Sequence, residues 1–173
     1  LSDAELFDCS VVVDLSRVGS METKSLLMGI LVMKLQEYRM CGSEMNSRLR
    51  HVTVLEEAHN LLRKTSAEQS QEGANLQGKS VEKVANAIAE MRTYGEGFII
   101  ADQAPGLLDM SVIRNTNTKI ILRLPDEEDR KLVGKSAGLK EAQIDELSKL
   151  PLGVAAVYQN EWPEAVLCKV KAY

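Results

Sequence analysis

Cysteine is scarce: the 173 residues include only Cys9, Cys41 and Cys168, an odd number without metal-type spacing. That excludes a disulfide framework and favours reduced thiols, as in a cytoplasmic protein. No apolar run approaches the roughly 18–20 residues that a membrane-spanning helix needs, and no charged-then-apolar signal segment opens the chain. Net positive charge is lacking too. With 21 Lys and Arg against 25 Asp and Glu, the formal net charge is −4, so the molecule is not a polycation that coats nucleic acid. Contact with DNA would have to come from a local patch or from a pore built by several subunits. What is present is an ordinary globular mixture, 45% hydrophobic and 27% charged, long enough to bury a core. The chain starts at Leu1, without an initiator Met, and reads as structured by Val11. The expectation is a fragment of a longer protein.

Residues 9–15, Cys-Ser-Val-Val-Val-Asp-Leu, form a β-branched run ending in an acid, the pattern of a buried strand. Ser20 offers an N-cap, and Leu27, Ile30, Leu31, Lys34, Leu35 and Tyr38 follow at helical spacing, which predicts a helix over 21–39. Residues 51–55, His-Val-Thr-Val-Leu, read as a second strand running into Glu56 and Glu57. The polar stretch 64–79 reads as a loop or an exposed helix extension. Ser80 is the expected cap of the next helix, whose Val81, Val84, Ala85, Ile88 and Met91 share one face before Gly95 stops it. Strands are expected at 98–101 and 119–124. Short helices are expected after Pro125-Asp126 and around Ile144, Leu147 and Leu150, and a terminal hairpin at 153–158 and 164–170. Strands alternating with helices predict an α/β fold with a largely parallel sheet. There is no internal repeat.

The segment Val52-Thr53-Val54-Leu55-Glu56-Glu57-Ala58-His59 carries the most chemistry. A buried strand delivers two adjacent carboxylates to its C-terminal end, where parallel α/β sheets bind ligands. Adjacent carboxylates are costly unless something positive or protic uses them. P-loop NTPases use one acid to hold Mg²⁺ through water and the next to orient the attacking water. Glu56 would be the metal-side acid and Glu57 the catalytic one; the plainer alternative is a helix N-terminus, where acids in a first turn are common. Gln103, just past the strand 98–101, is a neutral amide that could touch a γ-phosphate or the lytic water. Arg92, on the intervening helix, could reach into a neighbouring subunit's site and stabilise charge on a transferring phosphoryl group, or could simply be a solvated surface arginine.

Residues 73–80, Gly-Ala-Asn-Leu-Gln-Gly-Lys-Ser, match the Walker A pattern G-x-x-x-x-G-K-[ST]. The mechanism needs a strand feeding that loop, so that backbone N–H groups converge on phosphate. The preceding residues 65–72 are polar and not strand-like, and the match follows the paired acids instead of preceding them. It reads as a coincidence. His51 and His59 are the only histidines, in no metal-type spacing, and His59 is expected to orient a carboxylate or pack locally. No Gly-x-Ser-x-Gly elbow occurs. Arg114, Lys119 and Arg123 are too spread to form a nucleic-acid patch.

Together these segments resemble the C-terminal two-thirds of the ATPase core of the HerA–FtsK superfamily, nearest to HerA-like proteins. The resemblance rests on Val-Val-Val-Asp-Leu-Ser at 11–16, Leu-Glu-Glu-Ala-His-Asn-Leu-Leu at 55–62, Glu-Met-Arg-Thr-Tyr-Gly at 90–95, Phe-Ile-Ile-Ala-Asp-Gln-Ala-Pro at 98–105 and Asn-Thr-Lys-Ile-Ile-Leu-Arg-Leu at 117–124. It covers about residues 9–135 and implies a partial RecA-like P-loop NTPase core, with residues 1–173 as the C-terminal part of one such domain and a C-terminal β-hairpin. It further implies ATP and Mg²⁺ as cofactors, Glu56 and Glu57 as the Walker B acids, Gln103 as sensor and Arg92 as the trans-acting arginine. The implied assembly is a hexameric ring that moves double-stranded DNA through its pore, with a nuclease or other effector as partner. The chain departs from the pattern at Ala104, where the family often has Arg, in a less basic run around Arg92, and in lacking a Walker A upstream of 11–16. The isolated chain is therefore expected to hydrolyse little or no ATP. Two other functions share these residues: an ATPase of a conjugation or secretion system, and a non-catalytic scaffold for ring assembly.

Overall fold

The computed structural model describes residues 2–42, 44–64 and 71–171, and of residues 71–80 the backbone alone. Two compact units divide the chain, Leu1–Gln103 and Ala104–Tyr173.

In the first unit, α1 (Asp3–Phe7) starts at Ser2, whose hydroxyl accepts from the Glu5 N–H while the Glu5 carboxylate accepts from the Ser2 N–H. This reciprocal cap satisfies two donors that a helix start leaves unpaired. Residues 9–15 do not form the predicted buried strand. They pair with no strand among the described residues, and Val12 is 92% exposed. A β-branched run favours extended backbone, but a strand exists only where another backbone supplies its hydrogen bonds.

Helix α2 (Met21–Gly42) runs three residues past its expected end. Its buried stripe is Val32, Leu35 and Arg39, while Ile30 and Lys34, two of the residues whose spacing predicted the helix, are exposed. The helix is turned to bring a charged residue inward, because Arg39 has partners there.

Strand β1 (His51–Glu56) and strand β2 (Glu96–Ala101) pair in parallel, from His51↔Glu96 to Glu56↔Ala101. Between them, α3 (Gln71–Met91) packs against α2 and buries Val81, Ala85, Ala87 and Met91, close to the predicted face. Ser80 is not its cap, since the helix starts nine residues earlier. Residues 71–79 of the stretch read as loop or helix extension are thus helical, and residues 65–70 lie outside the described residues. After a turn of 3₁₀ helix (Arg92–Tyr94), Gly95 adopts φ +82°; a Cβ there would stand 2.5 Å from the Arg48 carbonyl oxygen, so glycine is required for this close approach.

The second unit contains α4 (Met110–Asn115), β3 (Thr118–Ile121), α5 (Glu127–Ser136), α6 (Glu141–Glu146), β4 (Val154–Gln159) and β5 (Val166–Lys169). The Asp126 side chain caps α5 through the Asp129 N–H. Ile121, Ala137, Leu147, Leu150 and Ala156 form the core. At the expected fourth strand, β3 is shorter than predicted and pairs antiparallel with β4, which pairs antiparallel with β5 as the terminal hairpin. The α/β class holds. Among the described residues, however, the β structure is one parallel pair and one three-stranded antiparallel sheet, not a largely parallel sheet. The hairpin explains this: a short reversal at 160–165 makes β5 antiparallel to β4, and β4 in turn faces β3 head to tail.

Candidate functional site

The in-register pairing of β1 and β2 ends at Glu56 and Ala101, so the residues that follow each strand emerge side by side. On β1 these are Glu57, Ala58 and His59; on β2 they are Asp102 and Gln103. The backbone turns sharply after β1. Glu57 takes a left-handed conformation at φ 50° and opens a turn of 3₁₀ helix (Ala58–Asn60). For a residue with a Cβ that conformation costs about 1–3 kcal/mol unless the surroundings hold it. Here Ala58 is fully buried, and the Glu57 carbonyl accepts from the Asn60 N–H and from Asn60 Nδ2, both at 2.9 Å.

The side chains converge as well. Gln103 Nε2 donates to Glu57 Oε1 at 2.8 Å. Asp102 Oδ2 accepts from the His59 N–H at 2.8 Å and lies 2.9 Å from His59 Nδ1, and that ring nitrogen is 3.6 Å from Glu57 Oε2. Exposure is graded across the group: the Asp102 side chain is 3% exposed, His59 15% and Glu57 48%. Glu56 is exposed at the end of β1.

Of the residues singled out from sequence, Glu56, Glu57 and Gln103 are thus brought together at one end of the parallel pair, and His59 orients towards carboxylates as expected. Arg92 is not brought to them. It is exposed in the turn before β2, whereas Gln103 follows β2, so the six residues of the strand separate them, a span of roughly 20 Å. Asp102 is a participant that sequence reasoning did not single out. Its signal was there in retrospect, as an acid beside Gln103 at a strand tip.

A metal at this site fits only one style of coordination. Among the described residues no three His, Cys, Asp or Glu side chains are grouped to hold an ion. Mg²⁺ is held by one or two carboxylates, with water and phosphate oxygens completing its shell, and the exposed Glu56 carboxylate suits that arrangement.

The opposite end of the strands holds a second polar cluster, unforeseen from sequence. Glu96, with a fully buried side chain, accepts from Arg39 Nε at 2.9 Å and Thr53 Oγ1 at 2.7 Å and meets His51 Nδ1 at 2.8 Å. Arg39 also donates to Asp8 Oδ1 at 2.6 Å and to the Phe7 carbonyl at 2.5 Å. The Tyr38 hydroxyl and Arg39 hold the Asp8 carboxyl below its ordinary pKa, and Asp8 pushes the Tyr38 hydroxyl up. Burial works against the Arg39 charge, but Asp8 and Glu96 outweigh it and raise its pKa. A cavity of about 170 Å³ lies beside this cluster, lined in part by Tyr38, Arg39 and His51.

No family model matches the chain. Over 123 residues, 70% of its length, it is 30% identical to a probable helicase of Methanocaldococcus jannaschii, of which it covers 22%. Over 110 residues, 63% of its length, it is 34% identical to the DNA double-strand break repair helicase HerA of Sulfolobus acidocaldarius, of which it covers 20%. The chain is HerA-like. It spans about a fifth of the length of these relatives. The HerA-like chain also shares its fold with the genome packaging NTPase B204 of Sulfolobus turreted icosahedral virus 2 in complex with AMP, with a TM-score of 0.64 at 12% identity, covering 99% of this chain and 73% of that one. VirB4 of Thermoanaerobacter pseudethanolicus matches with a TM-score of 0.56 at 18% identity, covering 92% of this chain and 40% of that one. At such identities the likeness speaks for the fold alone.

Residues 73–80 lie within α3, as helical backbone. The N–H groups of an α-helix interior are engaged with carbonyls one turn back and are not free to converge on a phosphate. The Walker A pattern at 73–80 is therefore a match in letters without the loop geometry that gives it meaning.

Proposed function

We propose that the chain supplies the acid and sensor elements of an ATP-driven, HerA-type motor within a longer protein, as the C-terminal part of a RecA-like domain. The observation that carries this reading is the Gln103–Glu57 hydrogen bond at the tips of two parallel strands, read together with the similarity to HerA helicases. Glu57 orients the attacking water and accepts its proton, as a half-exposed carboxylate at a strand end is suited to do. Gln103 fixes Glu57 and senses the γ-phosphate without adding charge. Glu56 holds Mg²⁺ through water, and the bound ion supplies charge neutralisation on the phosphate oxygens. Arg92, exposed and remote from Glu57 in its own chain, serves the site of a neighbouring subunit in a hexameric ring. Double-stranded DNA is the polymer moved, and a nuclease or other effector the accompanying partner. The phosphate-binding loop comes from elsewhere in the longer protein, so the isolated chain turns over little or no ATP.

A second reading uses the same residues and is compatible with the fold shared with VirB4: an ATPase of a conjugation or secretion system, powering export at a membrane channel. Steady-state ATP hydrolysis by the full-length protein, with and without duplex DNA, separates the two. Stimulation by DNA supports the motor, and inactivity without a channel partner supports export. Glu57→Gln is expected to lower kcat by about 10²–10⁴-fold. Unchanged turnover in that variant would leave ring assembly as the role of the chain and end the catalytic reading.

A further inference from the structure

Glu57 holds a conformation that its own backbone disfavours, so the position of its carboxylate depends on what braces the turn. The brace comes from the tip of β2. Asp102 Oδ2 accepts from the His59 N–H at 2.8 Å and stands 2.9 Å from His59 Nδ1. An ionised carboxylate only accepts hydrogen bonds, so Nδ1 carries the hydrogen and the ring is held in one tautomer and one orientation. The nearly buried Asp102 side chain has little room to move, and it grips one residue through both main chain and side chain. The same ring nitrogen flanks Glu57 Oε2 at 3.6 Å, while Gln103 Nε2 donates to Oε1 at 2.8 Å. Both oxygens of Glu57 are thus flanked by groups referenced to β2: one directly through Gln103, the other through His59 and Asp102.

We propose that His59 and Asp102 are positioning residues for Glu57, Asp102 fixing the imidazole and the imidazole edge fixing the carboxylate. This rests on the catalytic reading of Glu57 above. Neither residue need touch nucleotide. What they supply is the orientation of a carboxylate that the αL turn would otherwise leave poorly defined, and an orientation error of about 1 Å at a reacting group costs on the order of 10²-fold in rate.

The test uses the full-length protein, with steady-state ATP hydrolysis and backbone hydrogen exchange across residues 56–62 measured on the same variants. His59→Ala is expected to lower kcat by roughly 10–100-fold and to leave the KM for ATP within about twofold of wild type, because positioning acts on the reacting step and not on nucleotide binding. His59→Asn, whose amide nitrogen stands near the place of Nδ1 and donates to Asp102, is expected to recover most of the loss. Asp102→Ala should match His59→Ala in kcat and speed exchange at the His59 amide. Asp102→Asn keeps an oxygen acceptor and serves if the alanine variant does not fold; it is expected to retain the exchange protection with an intermediate kcat. His59→Ala at wild-type kcat, in a protein that Glu57→Gln silences, would overturn the positioning role and leave the catalytic reading standing. A His59→Asn variant no better than His59→Ala would also overturn it, since a donor restored to Asp102 at the place of Nδ1 would then do nothing for Glu57. A fully active Glu57→Gln would remove both readings together.

Discussion

Gln103 Nε2 donates to Glu57 Oε1 across 2.8 Å, tying the residue two past the end of β2 to the residue one past the end of β1. The bond depends on charge type as well as distance. Gln103→Ala removes the donor; Gln103→Glu sets a second carboxylate against the first, and like charges this close oppose ionisation. In the full-length protein we expect kcat to fall by about 10-fold for the alanine variant, and further for the glutamate variant. Steady-state ATP hydrolysis checks the order, and a glutamate variant as active as wild type would mean the amide does not serve Glu57.

Lys79 belongs to a sequence that spells a phosphate-binding loop but folds as helix. Lys79→Ala is expected to leave Mg-ATP affinity within about twofold of wild type, because residues 75–80 lie past the first turn of α3, where backbone N–H groups are engaged with carbonyls one turn back. Titration calorimetry on the full-length protein measures it. Abolished binding would make 73–80 a working cradle and would undo the proposal that the phosphate loop lies elsewhere.

Glu96 and Arg39 are 57 residues apart in sequence and joined in the interior of the first unit. Removing one partner strands the other's charge away from water, which costs about 3–5 kcal/mol. Glu96→Ala and Arg39→Ala should therefore each lower the urea midpoint sharply. The double variant Arg39→Met/Glu96→Leu should recover part of the loss, since no unpaired charge then remains buried. A single variant as stable as wild type would contradict the buried pairing.

Asp8 gives the acid limb of stability a defined contributor. The Tyr38 hydroxyl first, then Arg39, depress its folded-state pKa below the ordinary carboxylate value. Its contribution is therefore complete above the unfolded pKa, about 3.9, and is lost as pH falls through the lower folded value. Urea midpoints of the wild type are expected to decline below about pH 4, and Asp8→Asn should make that decline shallower while lowering stability modestly at neutral pH. Parallel curves for the two proteins would rule out the contribution.

The local pattern determined a good part of this protein. Apolar spacing located α3 and its buried face at Val81, Ala85 and Met91, and the β-branched run located β1. Acids just past that run marked Glu56 and Glu57, because strand ends of parallel sheets are where side chains leave the core. The positions of these elements were legible because helix faces and strand ends are properties of neighbouring residues. Other features depend on partners far along the chain. Whether residues 9–15 form a strand depends on another backbone, and Val12 stands exposed for want of one among the described residues. Which side of α2 turns inward depended on Arg39 finding Glu96. The clasp of Asp102 on His59 spans 43 residues and exists only because β1 and β2 pair in parallel and in register. Spacing along a sequence encodes the contacts of one turn or one strand; tertiary register decides which distant polar groups meet, and it is those meetings that orient Glu57.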